Sequence, residues 1–120
     1  MIIMNVRKIC WEDVEKESLG KDKARKVLHT ENMTIARVYL DKGSSVPEHK
    51  HENEQISWVI RGSIEVKIND QIFNLKSDES LVIPPDVPHF VRALEESEVV
   101  DSFSPPRKDW QAGQDSYLRT

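Results

Sequence analysis

The feature that most constrains this chain is the repetition of short strand-like segments broken by turn residues. Ile64, Val66 and Ile68 alternate with Glu65 and Lys67, the period-two pattern of a half-buried strand. Asn69-Asp70 follows as a tight hairpin turn, and residues 72–75 run back. Further strands are read at 24–29, 33–41, 56–60, 81–83, 89–94 and 98–103, with the 81–83 segment expected to be buried throughout. Val6 and Ile9 alternate in a way that suggests an edge strand within residues 1–10. Residues 11–20 are charged and read as a turn of helix or an ordered loop ending at Gly20. Breaks fall at Asp41-Lys42-Gly43, Arg61-Gly62-Ser63 and Pro84-Pro85-Asp86. Roughly eight or nine strands with a turn about every eight to twelve residues predict an all-β sandwich or barrel. At 120 residues the chain is expected to be one domain, closed by a polar tail after Pro105-Pro106 that starts as a short helix.

Chemistry concentrates in the segment from Pro47 to Gln55 and in Pro88-His89, which together hold three of the four histidines. On a strand, His49 and His51 project to the same face, which is half of a metal site. Gln55 re-enters beside them after a polar turn, and the proline-rich turn before His89 fixes where that imidazole lands. Three neutral imidazoles with one amide oxygen would leave a divalent ion its full charge, a Lewis acid that favours anionic ligands. Glu52 and Glu54 are alternatives to Gln55 as the fourth ligand, and the pair of histidines can also be read as a surface feature with His89 in the core. His29 has no metal-binding neighbour and reads as a solvated surface residue.

Net charge is −4 with no basic run, so the electrostatic footprint of a nucleic-acid-binding protein is missing. No apolar stretch approaches a membrane span, and residues 1–5 are too short for a signal peptide. The single cysteine, Cys10, cannot form an intramolecular disulfide; it reads as a packing residue in a reducing, cytoplasmic setting.

The run from Gly43 through His49-x-His51 and Gln55 to Gly62 resembles the first cupin motif, with Gln at the usual Glu position. Pro84-x-Asp86-x-x-His89 resembles the second motif, with Asp86 and Asp78 where glycines are common and Ala93 where Asn is frequent. The similarity covers roughly residues 24–110 and implies a cupin jelly-roll barrel (double-stranded β-helix), core about 24–104 and tail 105–120, holding the metal inside. His49, His51, Gln55 and His89 are the ligands that the resemblance implies. The donor set suits nickel, zinc, iron, manganese or cobalt alike.

A narrower resemblance follows. Asp101-x-Phe103-Ser-Pro-Pro-Arg107, taken with Glu48-His49-x-His51 and Gln55, is similar to the pectin-degradation cupins that linearise unsaturated uronate monosaccharides. It implies a small anionic sugar as substrate, with Asp101, Phe103 and Arg107 lining the site. There Asp101 would move a proton, Arg107 would hold a carboxylate or hydroxyl oxygen and Phe103 would wall the ring. A metal-dependent cupin dioxygenase and a non-catalytic ligand-binding cupin are the competing readings. If Gln55, Ser57 and Val59 face the lumen, Ile56, Trp58 and Ile60 face outward, and such an apolar stripe predicts a homodimer.

Overall fold

The computed structural model describes residues 5–119. Among them ten strands form two antiparallel sheets. In chain order they are β1 (Glu17–Ser18), β2 (Lys23–His29), β3 (Thr34–Leu40), β4 (Ser45–His49) and β5 (Glu54–Arg61), followed by β6 (Ser63–Ile68), β7 (Gln71–Lys76), β8 (Ser80–Ile83), β9 (His89–Ala93) and β10 (Ser97–Ser104). One sheet has the order β1-β2-β3-β10-β5-β8 and the other β4-β9-β6-β7. The fold class read from the sequence is the one observed, and two facing antiparallel sheets are the architecture of a jelly roll.

Strand alternation sorts the side chains as the sequence predicts. On β5, Gln55, Ser57 and Val59 are buried, whereas Ile56, Trp58 and Ile60 are 43%, 44% and 36% exposed. The β6–β7 hairpin turns at Asn69 in the left-handed conformation (φ 55°), which Asn tolerates better than most residues. Asp78 and Asp86, at positions where the cupin motifs commonly have glycine, also take positive φ, 70° and 60°. At Gly62 (φ 89°) a β-carbon would lie 2.2 Å from Ser97 Oγ and 2.4 Å from the Glu96 carbonyl, so only glycine lets β5 turn into β6 here.

The interior changes from apolar to polar in register. Between β5 and β10, Val59 pairs with Val99, Ser57 with Asp101 and Gln55 with Phe103. The Val59–Val99 layer belongs to the core with Leu40, Ile64, Val66, Leu75 and Ala93. The next two layers carry the polar groups of the site.

Several expectations need correction. Residues 5–10 form no strand, and Val6 is 97% exposed; the first part of the proposed edge strand lies outside the described residues. Cys10 is exposed rather than packed. His29 is half-buried, not solvated, with Nδ1 2.8 Å from Thr34 Oγ1. Val82 is 60% exposed between half-buried Leu81 and buried Ile83, because β8 is an edge strand with one outward face. The segment expected as a polar tail does begin with a helix, α1 (Lys108–Gln111), but it folds back onto the barrel and buries Pro106, Arg107, Asp115 and Leu118. Its polarity is spent on internal pairing: Asp115 bonds Arg25, and Arg119 bonds Asp115 and the Ser18 carbonyl.

Candidate metal centre and cavity

His49 and His89 face each other across the β4–β9 ladder. His51 is not on the strand, since β4 ends at His49; the loop that carries it is fixed by other contacts. The Asp86 amide donates to the His51 carbonyl at 2.8 Å, and buried Asn53 donates from Nδ2 to the carbonyls of Pro105 and Pro106. The three imidazoles therefore converge without a shared strand face, and their ligating atoms all lie within 4.8 Å of one another.

Each ring is oriented by its own backbone. His49 Nδ1 meets the Pro47 carbonyl at 2.8 Å, His51 Nδ1 that of Asn53 at 3.1 Å, and His89 Nδ1 that of Val87 at 2.8 Å. A carbonyl only accepts, so in His49 and His89 Nδ1 carries the proton and Nε2 keeps its lone pair, the arrangement that a metal-binding histidine needs, and His51 takes the same tautomer when it donates to Asn53. Burial, the largest cause, pushes the imidazole pKa values down, to about 4 for His49 and His51, and keeps the rings neutral. His89 Nε2 is buried with no hydrogen-bond partner among the described residues.

Gln55 lies beside the imidazoles. Its Nε2 donates to Ser57 Oγ at 2.9 Å and Asp101 Oδ1 at 3.3 Å, which turns Oε1 to within 2.9 Å of His51 Nε2. With the His51 proton on Nδ1, these two atoms are a pair of lone-pair donors that a cation can share; with it on Nε2, they form a hydrogen bond. These residues fit a divalent ion, with His49, His51, His89 and Gln55 as the donors available to hold it. Glu52 and Glu54 are exposed and neither belongs to the cluster; on β5, parity turns Glu54 outward when Gln55 turns in.

A cavity adjoins the imidazoles, lined among others by His49, His89, Gln55, Asp101, Phe103 and Arg25. Asp101 is half-buried and its open surface belongs to this cavity. Burial raises its carboxyl pKa to about 6, against bonds from Ser57 (2.5 Å) and Gln55 and the charge of Arg107. Phe103 is buried, edge-on to His51 at 5.6 Å and to Trp110 at 5.1 Å.

Arg107, expected beside Asp101 and Phe103, is close to them but faces elsewhere. It is only 1% exposed, and it pairs with both Asp109 oxygens at 2.9 and 2.7 Å and with Tyr117 Oη at 2.7 Å. Its guanidinium stacks on Phe103 and Trp110 and is absent from the cavity wall. Arg25, Trp110 and Tyr117 were not singled out from the sequence, yet they line the cavity. The signal for Arg25 was its inward parity on β2, where Lys23 and Arg25 are both buried.

The comparisons with known proteins agree with this geometry. Residues 36–101 match the cupin domain family model. A pectin degradation protein, KdgF of Dickeya dadantii, is 34% identical over 97 residues, covering 78% of this chain and 88% of that protein. The structure of KdgF from a Halomonas species superposes with a TM-score of 0.82 at 28% identity, over 88% of this chain and 99% of that one. An RmlC-like cupin from Shewanella frigidimarina gives 0.81 at 27% identity, over 88% and 96%. The chain belongs to the cupin family and, within it, resembles the pectin-degradation protein KdgF.

Proposed function

We propose that this cupin opens the ring of 4,5-unsaturated uronates to give 5-keto-4-deoxyuronates, using a divalent metal ion held by His49, His51, His89 and Gln55. The observation that carries the reading is that three imidazoles converge, and that two of them, His49 and His89, line one cavity with Gln55 and an interior carboxylate, Asp101, in a chain similar to a pectin degradation protein. A small anionic sugar is the substrate class.

The reaction is an isomerisation. The anomeric hydroxyl loses its proton, the bond from C1 to the ring oxygen breaks to leave an aldehyde, and the resulting enolate takes a proton at C4 to become the 5-ketone. No oxidant is consumed. An ion held by three neutral imidazoles and an amide oxygen keeps its positive charge and, when bound, polarises an oxygen ligand. Asp101 is the proton carrier, since its carboxylate is the acidic group of the cavity wall and is aimed by Ser57 and Gln55. Phe103 forms an apolar wall against the ring. Arg107 acts from behind that wall, stacking on Phe103 while Asp109 and Tyr117 hold it. A second copy of the chain covers the outward stripe of Ile56 and Trp58.

The test is a time course of the enol-ether absorbance of unsaturated galacturonate with metal-loaded protein, in air and under nitrogen. Accelerated loss of the band under both atmospheres is expected, with Asp101→Asn slowing it about 100-fold or more while retaining the metal. Dependence on oxygen would favour an oxidative cupin instead. Binding without any turnover would leave a ligand-binding protein.

A further inference from the structure

Four buried side-chain polar atoms lack a hydrogen-bond partner among the described residues: Arg25 Nε, Arg25 Nη1, His89 Nε2 and Trp110 Nε1. All belong to residues lining the one cavity beside the imidazoles. An unsatisfied buried polar group is costly, so several gathered around one space mark a place built for a polar ligand. The His89 atom is an acceptor and belongs to the metal-binding set. The other three are donors.

Those donors form a unit. Arg25 is 3% exposed, and its Nη2 is held by Asp115 and, at 3.4 Å, by Glu17. Its guanidinium lies 4.3 Å from the centre of the Trp110 ring, which fixes its plane. The anchored group thus leaves Nε with one hydrogen and Nη1 with two, next to an indole N–H. Asp101, the anionic group of the same wall, makes no ion pair with Arg25, whose carboxylate partners among the described residues are Glu17 and Asp115.

We infer that Arg25 and Trp110 form an anion subsite that receives the carboxylate of the substrate, in the cavity that His49 and His89 also line. The inference rests on the uronate reading and deepens it, by assigning carboxylate recognition to β2 and α1 rather than to Arg107, whose Nε and Nη2 are engaged by Asp109 and Tyr117 and which does not line the cavity. It also divides the work of the cavity: the carboxylate goes to Arg25 and Trp110, leaving the imidazole end for the ring and anomeric oxygens. The cavity as closed measures about 60 Å³, room for a few waters rather than a sugar. Binding therefore moves the covering segment that carries Trp110.

The experiment measures binding of D-galacturonate and of its uncharged methyl ester by calorimetry, with and without bound zinc. The wild-type protein is expected to prefer the acid by about tenfold or more, with or without zinc. In Arg25→Gln this preference falls towards unity while ester affinity holds, and Arg25→Lys restores part of it; loss of a purely structural residue would weaken both ligands alike. Should Arg25→Gln fail to fold, the Arg25 Nε–H resonance of the wild-type protein gives the same answer, shifting with the acid and not with the ester. An acid preference that survives in Arg25→Gln, or one that disappears when zinc is removed, overturns the inference. Ring opening is scored separately on the unsaturated sugar. Turnover without an effect of Arg25 on acid preference sinks the subsite alone, and a collapse of that preference without turnover sinks the ring-opening reading alone.

Discussion

Gln55 Oε1 and His51 Nε2 lie 2.9 Å apart, and with the His51 proton on Nδ1, towards the Asn53 carbonyl, both are acceptors. The amide cannot relax by flipping, because its nitrogen donates to Ser57 and Asp101. The contact thus links the imidazole cluster to the interior carboxylate through one side chain. The choice of Gln over Glu follows from the same geometry, since only an amide can donate to Asp101 with one atom and face a cation with the other.

Gln55→Glu tests that link. The new carboxylate would face Asp101 across the position where the amide now donates, and it loses the bond to Ser57. The metal-free variant is expected to be less stable by about 1–3 kcal/mol. A divalent ion should recover more stability in this variant than in the parent, because the added negative charge strengthens its hold. Thermal melts with chelator and with zinc measure both effects. Equal responses of the two proteins to zinc would show that residue 55 does not face the ion.

The pairing of Arg25 with Asp115 makes the covering segment acid-sensitive. Burial pushes the Asp115 carboxyl up, but bonds from Arg119 and Arg25 outweigh it and hold the pKa below its ordinary 3.8. A depressed folded-state value stabilises the protein above the unfolded value, and that contribution is lost as pH falls below about 4 and through the folded pKa. Asp115→Asn should therefore cost about 3 kcal/mol at pH 7, where it leaves Arg25 buried with less compensation. The variant should also lose less additional stability than the parent between pH 4 and pH 2. Urea titrations at the three pH values read this directly. Parallel losses in both proteins would remove Asp115 from the account.

The outward face of β5 predicts assembly. Ile56 and Trp58 stand 43% and 44% exposed, and Val82, opposite Ile56 on β8, extends the patch at 60%. Trp58→Lys puts a charge at its centre while leaving the Val59 core untouched. Sedimentation over a concentration series is expected to give a dimer for the parent protein and a monomer for the variant. A monomer throughout for the parent would remove the second copy from the proposal.

Much of this protein follows from local sequence. Strand alternation is a property of adjacent residues, so the inward set Gln55, Ser57 and Val59 and the outward set Ile56, Trp58 and Ile60 were legible from parity alone. Motif spacing picked out three histidines that the fold brings together, and Gln55, which lies beside His51. Parity misled at residues 5–10, where no strand forms, at His51, where a strand ended early, and at Val82, on a strand with one solvent face. Tertiary structure decided the rest, because those contacts join residues far apart in the chain. Asp115 reaches Arg25 across ninety positions, and Asn53 ties the His51 loop to Pro106. The polar composition of residues 107–119 gave no sign of this, since charged residues that pair internally look the same in sequence as charged residues in water. Arg107 shows the consequence: its proximity to Phe103 was legible, but the engagement of its donors by Asp109 and Tyr117, and with it the opening for Arg25, exists only in the folded chain.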